Sequence, residues 1–251
     1  MAGNTMKMAI QSSADVVPVL LTRPEEQSRS FAAALRGRFG DRVRPILSPL
    51  MRPGYPSFDL PPGPYAAVIF TSLHGVAAAL PHRARLPHLA WCVGARTAQE
   101  AQAAGLQTRA ADGDAESLVA AILADPPPGR LLHLRGKETR GAVAERLTQA
   151  GIPTDAVTVY RQDPLPLSAE AAELLARPGV VIVPLFSPRS AGLFRDALPR
   201  QLAADLRLAA MSAAVAEALR DVPGQVVVAR RPDAEAMLEA VEELIAAGPP
   251  P

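Results

Sequence analysis

The sequence has little of several features by which common protein classes are identified. It contains one cysteine, Cys92, in 251 residues, so an intrachain disulfide is excluded and a reducing compartment such as the cytoplasm is expected. Aromatic residues make up 4% of the chain, and 26 basic against 25 acidic residues give a formal charge of +1. Without the basic excess of a nucleic-acid-binding protein, we expect no nucleic-acid partner. The longest apolar runs are too short to span a bilayer, so we expect no membrane partner.

Sequence motifs of nucleotide binding, serine hydrolysis and metal binding are also missing. No GxGxxG follows a predicted strand, and GKE at 136–138 lacks the leading glycine and the Ser/Thr of a phosphate loop. No GxSxG elbow is present to hold a hydrolase nucleophile. The four histidines match no compact ligand spacing, so we predict no metal site.

What the chain does contain is typical of a globular α/β protein. Hydrophobic residues make up 49%, and the mean hydropathy of +0.11 indicates a chain that buries a core. Short aliphatic runs alternate with Ala-rich helical segments, which predicts parallel sheets covered by helices. Residues 1–15 and 248–251 are expected to be disordered tails.

A weak internal repeat organises the chain. VIFTSLHGVAAAL at 68–80 resembles PLFSPRSAGLF at 184–194, which places Ser72 and Ser187 in equivalent strand-to-helix turns. Two further pairs are similar in the same way: WCVGARTAQEA at 91–101 with LAAMSAAVAEAL at 208–219, and VLLTRPEEQSRS at 19–30 with LLHLRGKETRGA at 131–142. Such self-similarity predicts a duplicated architecture of two α/β lobes.

Two proline-flanked segments interrupt the alternation of strands and helices. They are VRPILSP at 43–49 and AVTVYRQDP at 156–164, and both are rich in β-forming residues. We predict that they form a two-stranded link between the lobes, with one lobe inserted into the other. The predicted division is 16–44 plus 165–247 for the first lobe, and 45–164 for the second.

Polar turns follow several predicted strands, at the sheet edge where open α/β sheets bind ligands. Hydroxyls, cations and free amides at helix N-termini hold carboxylates and phosphates. The candidate binding residues are Arg23, Thr71, Ser72, Arg96, Thr97, Arg135, Ser187 and Ser212. Ordinary helix capping by Ser and Thr explains any one turn taken alone. Their repetition in both lobes favours a polyanionic ligand held between the lobes.

Tyr160 is the candidate catalytic residue, at the end of the strand VTVY in the return segment. Its hydroxyl would offer a hydrogen-bond donor to a cleft, although a tyrosine here could equally pack against a lobe. Cys92 and Trp91 are predicted to be buried core residues.

The chain resembles uroporphyrinogen-III synthases over about residues 17–245. The resemblance is carried by six motifs that occur in the family's order along the chain: LLTRP, IFTSLHGV, VGARTAQEA, RGKETR, VTVY and LFSPRSAGLF. The resemblance implies two flavodoxin-like α/β lobes with parallel sheets, joined by a two-stranded β linker, with the first lobe discontinuous. Two departures from the family pattern, at His74 and at 212–215, concern substrate contacts and not the fold.

The resemblance also implies a function. The family's lyases cyclise the small-molecule substrate hydroxymethylbilane to uroporphyrinogen III, inverting ring D, without a cofactor. Tyr160 then matches the family's linker tyrosine, which would assist departure of the hydroxyl, and Ser72, Thr97 and Ser187 match polar cleft residues. A cytoplasmic monomer is expected. The alternative is a noncatalytic ligand-sensing or regulatory module with the same fold. Regulatory relatives usually carry an additional DNA-binding domain, and because none is recognised in this sequence, we expect the enzyme.

Overall fold

The computed structural model describes residues 16–138 and 141–247. The predicted tails, 1–15 and 248–251, lie outside the described residues. The described chain divides into two compact units, and the division falls within residues 52–53 and 163–164. The first unit is therefore discontinuous in sequence, and the second is inserted into it.

The first unit is a five-stranded sheet with helices on both faces. Its strands are β1 (Val17–Leu21), β2 (Val43–Leu47), and, using the numbers of the whole chain, β9 (Gly179–Leu185), β10 (Ala204–Ala210) and β11 (Gln225–Val228). Its helices are α1 (Glu25–Phe39), α6 (Ala169–Leu175), α7 (Pro188–Ala197), α8 (Ala213–Glu217) and α9 (Ala234–Ala246). The sheet order is β2-β1-β9-β10-β11, all parallel, which is the flavodoxin-like order.

The second unit has the same layered construction. Its strands are β4 (Ala67–Phe70), β5 (Leu89–Cys92), β6 (Gln107–Ala110), β7 (Leu131–Gly136) and β8 (Thr154–Pro164), preceded by β3 (Met51–Gly54). Its helices are α2 (Leu73–Ala79), α3 (Ala95–Ala103), α4 (Ala115–Ala124) and α5 (Val143–Gln149). The sheet order is β3-β8-β7-β4-β5-β6, and the pairs from β8 to β6 are parallel. The predicted fold class, two α/β lobes with parallel sheets, is confirmed.

The sequence repeat corresponds to equivalent strands in the two sheets. The order β2-β1-β9-β10-β11 matches β8-β7-β4-β5-β6 strand for strand. The registers match as well: Val19 pairs with Ile182 in the first sheet, and Leu131 pairs with Ala67 in the second. Leu131 lies 112 residues after Val19, and Ile182 lies 115 residues after Ala67, which are the offsets of the repeated motifs. The two sheets are thus the same arrangement entered by the chain at different strands.

One predicted linker strand is wrong. The segment at 43–49 contains β2, which pairs in parallel with β1 from Val43 to Leu47 and is an edge strand of the first sheet. Pro45 is compatible with an edge strand because proline has no N–H to donate, and the outer side of an edge strand has no neighbouring strand that needs one. The strand that neighbours β8 is instead β3, in which the boundary between the units lies. The predicted boundary at residue 44 therefore falls inside the first unit.

Each sheet is buried on both faces, as parallel sheets require. In β1, Val19 and Leu21 contact the cluster beneath α1 and α9, whereas Leu20 contacts the cluster beneath α6, α7 and α8. In β7, Leu132 and Leu134 face the α2 and α3 side, and Leu131 faces α4 and α5. Odd-numbered residues of β7 thus share the α4 and α5 face, because successive strand residues alternate.

The last helix shows how local sequence signals and packing agree. Asp233 caps α9 by accepting a hydrogen bond from the Ala236 N–H at 2.8 Å. The apolar face of α9 is buried at Met237, Leu238, Val241 and Leu244 and partly buried at Ile245. A buried arginine that was not among the predicted site residues forms a hydrogen bond with the C-terminal end of this helix. Arg207 in β10 is 4% exposed and donates to the Leu244 carbonyl at 2.6 Å.

Candidate active site

The predicted binding turns lie at the carboxyl ends of three neighbouring strands in each unit. In the first unit, Arg23 follows β1, Ser187 follows β9 and Ser212 follows β10. The order in which the chain adds successive strands reverses between β1 and β9 there, and between β7 and β4 in the second unit. Open α/β sheets bind ligands at such switch points, because the loops diverge and leave a crevice. Each unit is therefore built to present polar turns around one crevice of its own.

In the first unit, Arg23 is held against an aromatic ring. Its guanidinium carbon lies 4.0 Å from the centroid of the Phe186 ring, which in turn meets Phe31 edge to face. Burial lowers the pKa of Arg23 from its ordinary value, and guanidinium nevertheless keeps its charge in proteins. A stacked, partly buried guanidinium loses less side-chain entropy on binding a carboxylate than an exposed one does.

The two serines of the first unit are used differently. The Ser187 hydroxyl caps α7: it accepts from the Ser190 N–H at 3.1 Å and donates to Ser190 Oγ at 3.0 Å. Ser212 is also an N-cap, of α8, but its side chain forms no capping hydrogen bond. The Ser187 hydroxyl is thus committed to its helix, as the capping alternative predicts, whereas the Ser212 hydroxyl is available to a ligand.

In the second unit, a cleft of about 220 Å³ opens at the carboxyl ends of the strands. The structure brings two predicted site residues together there, Thr71 after β4 and Tyr160 in β8. The other lining residues are Val93, Gly113, Asp114, Ala115 and Glu138. A larger groove of about 410 Å³ lies between α2 and α3, but none of the predicted site residues lines it.

The Tyr160 ring is positioned by close packing. It lies over Gly136, where a Cβ atom would approach the Tyr160 Cζ to 2.6 Å, next to a register shift between β7 and β8. Its centroid is 5.4 Å from that of His74, whose Nδ1 lies 3.1 Å from the Tyr55 hydroxyl. Burial and the neighbouring Tyr160 raise the pKa of Tyr55. Gly136 on one side and His74 on the other thus define the position of the ring, which we call its seat.

A buried histidine that the sequence analysis did not assign to the site contacts the cleft from below. His133 in β7 is 2% exposed, and its Nε2 lies 3.3 Å from Thr71 Oγ1. Burial lowers the pKa of His133 to about 4, with a further contribution from the positive charge of Arg135. The imidazole is therefore neutral at physiological pH.

The remaining candidates of the second unit surround this cleft without lining it. Ser72 caps α2, accepting from the His74 N–H at 3.2 Å. Arg96 is exposed in the first turn of α3, whereas Thr97 is 6% exposed within that helix. Arg135, at the end of β7, is partly buried with its guanidinium 3.8 Å from the Glu145 carboxylate. Thr97 is thus a packed residue, and the cations Arg96 and Arg135 flank the switch point.

Two carboxylates make the cleft itself acidic, which the sequence analysis did not anticipate. Asp114 caps α4 by accepting from the Ser117 N–H at 2.7 Å, and this hydrogen bond lowers the pKa of Asp114. Glu138 lines the cleft from the loop after β7. A negatively charged lining favours donors and cations over carboxylates at this place.

Two absences concern residues 16–138 and 141–247. Within them, no group of three or more His, Cys, Asp or Glu side chains is arranged to hold a metal ion. The same residues contain no helix long and apolar enough to cross a membrane. Cys92 and Trp91 are buried in the core, and burial raises the pKa of the Cys92 thiol to about 12.

Comparison with known proteins gives one family match and several structural ones. A sequence model of the family described as uroporphyrinogen-III synthase HemD matches residues 16–239. The crystal structure of uroporphyrinogen-III synthetase from Helicobacter pylori 26695 is similar at 18% identity and a TM-score of 0.58, covering 91% of this chain and 99% of that one. A mutant uroporphyrinogen III synthase from the extremely thermophilic bacterium Thermus thermophilus gives 18% identity and a TM-score of 0.45, covering 92% and 100%. No curated protein matches.

The family match covers nearly all of both units, and the Helicobacter structure has the same fold. The resemblance inferred from the ordered motifs is therefore confirmed. The chain belongs to the uroporphyrinogen-III synthase family, whose members are lyases of tetrapyrrole biosynthesis.

Proposed function

We propose that this chain cyclises hydroxymethylbilane to uroporphyrinogen III with inversion of ring D. Family membership supplies the reaction class. The observation that carries the proposal for this chain is the common cleft of Tyr160 and Thr71 at the switch point of the second unit. A positioned phenol beside a second hydroxyl is the equipment that departure of a hydroxyl group needs.

Tyr160 would assist the first step. The C–O bond of the hydroxymethyl group breaks, the phenol gives its proton to the leaving oxygen, and water departs. The pyrrole N–H then returns a proton to the phenolate, which restores the phenol, balances the step and leaves a neutral azafulvene. A phenol stays protonated at neutral pH and donates without prior activation. Its seat on Gly136 supports the proposal, because the ring needs no reorganisation before it donates.

The acidic lining suits the same step. Departure of the hydroxyl group as water leaves positive charge on the pyrrole until its N–H proton is lost, and the carboxylates of Asp114 and Glu138 line the cleft in which we place that event. Fixed negative charges around a developing cation lower its energy, most of all where water is excluded. The same carboxylates repel the acidic side chains of the substrate, so this cleft would receive a pyrrole ring and not its substituents.

The eight carboxylates of the substrate would then bind elsewhere. The cations at the strand ends, Arg23, Arg96 and Arg135, and the Ser212 hydroxyl are the groups suited to them. With Tyr160 holding the hydroxyl and these groups holding the periphery, ring D would close through the spiro intermediate and be inverted. The proposal needs no cofactor, because each of these steps uses a proton transfer or a charge.

Isomer analysis tests the function directly. Purified protein is added to freshly made hydroxymethylbilane, and the type I and type III porphyrins are separated after oxidation. We expect type III to dominate. Type I alone is the product of spontaneous closure, and it would refute the enzyme and leave the ligand-sensing module as the function to test. We further propose that the protein works as a cytoplasmic monomer. Gel filtration of the purified chain checks the oligomeric state, and fractionation of the cells checks the location.

A further inference from the structure

Equivalent positions of the two sheets differ in one pair of residues at the switch point. The offsets of the repeat, 112 and 115 residues, place His133 opposite Leu21 and Thr71 opposite Phe186. In the first unit both residues belong to an apolar cluster, in which Leu21 is 1% exposed. An apolar pair therefore satisfies this fold at the same position. The polar pair of the second unit is not required by the architecture, so a different reason for it has to be sought.

The hydrogen bonding of His133 and Thr71 depends on which nitrogen of the imidazole carries the proton. His133 Nε2 lies 3.3 Å from Thr71 Oγ1, and His133 Nδ1 is buried with no hydrogen-bond partner among the described residues. A neutral imidazole carries its proton on one nitrogen only. If that nitrogen were Nδ1, a buried N–H donor would be unpaired, which is rarer in proteins than an unpaired acceptor. The geometry favours the proton on Nε2.

That assignment determines what Thr71 can do. When Nε2–H donates to Thr71 Oγ1, the hydroxyl hydrogen of Thr71 is not used by the histidine. Thr71 lines the cleft that also contains Tyr160, so its hydrogen can be donated to a group bound there. In the opposite arrangement, Thr71 would donate to His133 and could offer the cleft only a lone pair.

We propose that His133 is a positioning residue whose Nε2–H bond to Thr71 directs the Thr71 hydroxyl hydrogen into the cleft as a donor to substrate oxygen. The leaving hydroxyl would then be held by two donors, Tyr160 and Thr71. The part of the inference that concerns substrate rests on the proposed function, whereas the proton position does not.

The proton position is tested by NMR of the 15N-histidine-labelled protein at pH 7. Long-range proton–nitrogen correlations distinguish the two tautomers, and the signals of His133 are those that disappear in His133→Leu. We expect a protonated Nε2 and an unprotonated Nδ1. A protonated Nδ1 overturns the inference, whatever the protein catalyses.

The action through Thr71 is tested by a double-mutant cycle on the rate of type III formation. Leucine is the matched replacement, because Leu21 occupies the equivalent place in the first unit. We expect His133→Leu to lower kcat/KM by about 3- to 10-fold, the contribution of one neutral hydrogen bond. In the Thr71→Val background, which removes the hydroxyl and keeps the shape, His133→Leu should have no further effect. Equal losses in both backgrounds would show a merely structural role and overturn the proposal.

Two conservative variants separate the hydrogen bond from the packing. The amide nitrogen of His133→Gln reaches the place of Nε2 and can donate to Thr71, so activity should be largely retained. His133→Asn carries its amide at the level of Nδ1, too short to reach, and should lose as much as leucine. Equal activity of the Gln and Asn variants contradicts the inference. If the unaltered protein formed only type I product, the proposed function would fail, while the NMR result would still decide the proton position.

Discussion

Replacing Tyr160 by phenylalanine tests the chemistry proposed for the second unit. The change removes one oxygen and keeps the ring, which fills the seat over Gly136 and beside His74. In residues 16–138 and 141–247 the Tyr160 hydroxyl has no hydrogen bond to lose. We therefore expect a change in stability below about 0.5 kcal/mol, or less than about 2 °C in the thermal midpoint.

The expected effect on rate is much larger. General acid assistance contributes typically about 10²- to 10⁴-fold, and part of it would be retained by Thr71 and by solvent. We expect Tyr160→Phe to lower the rate of type III formation at least about tenfold, or about 1.4 kcal/mol in the barrier. The assay follows type III and type I isomers from fresh hydroxymethylbilane, with the spontaneous type I reaction measured in parallel.

Tyr65 provides the matched control. Its hydroxyl donates to Asp155 Oδ2 at 2.6 Å. Burial, together with this hydrogen bond, raises the pKa of Tyr65 to about 12. Tyr65→Phe should cost about 1 kcal/mol, since the bond is partly solvated, and lower the thermal midpoint by about 2–4 °C with activity unchanged. Full activity in Tyr160→Phe would refute the role of the phenol and leave positioning by the turns as the source of catalysis.

Further variants test the turns, the packing of Tyr160 over Gly136, and the buried histidine. Ser187→Ala should destabilise the protein by about 1 kcal/mol through loss of the α7 cap, measured by denaturant unfolding, whereas Ser212→Ala should spare stability and raise KM. Gly136→Ala should displace the tyrosine ring of the cleft and lower the rate at least about tenfold with a small change in midpoint; an unchanged rate would contradict the seat. Since the pKa of His133 falls to about 4 on folding from 6.5, the unfolded chain binds its proton first. Stability from this group is lost as pH falls from about 6.5 to 4, by about 3 kcal/mol in all, and His133→Leu should flatten that part of the stability curve.

Helix starts were predictable because their signals lie within a few residues of one another in the sequence. Asp114 precedes an apolar run and caps α4, and Ser72 and Ser187 cap equivalent helices. Strand partners are different, because pairing depends on residues far apart in the chain. The proline-flanked segments at 43–49 and 156–164 look alike because β2 and β8 are equivalent strands in two sheets, and not because they pair with each other. Two similar segments of a duplicated chain are thus more readily explained as equivalent strands of two sheets than as strands that pair with each other.

The candidate site was predictable in its location and less so in its composition. The ends of parallel strands identified the turns, but nothing local indicates that the Ser187 hydroxyl is consumed by Ser190, or that Thr97 faces the helix packing. The acidic residue Glu138 reaches the cleft only through the geometry of the loop after β7. His133 had a signal that single-residue inspection missed: LHLR in β7 stands where β1 has LLTR, so a histidine replaces a buried leucine.

That replacement is a difference between the two units at equivalent positions of their switch points. Both contain the same strand order and register, and both have a switch point ringed by polar turns. In the first unit the switch point is closed beneath by Leu21 and Phe186, with Arg23 stacked on the ring as an anchor for an anion. In the second it is polar, with buried His133 beneath Thr71 in a cleft shared with a phenol. Since burying an imidazole costs stability that an apolar residue would not, we expect the proton chemistry in the second unit and anion binding in the first.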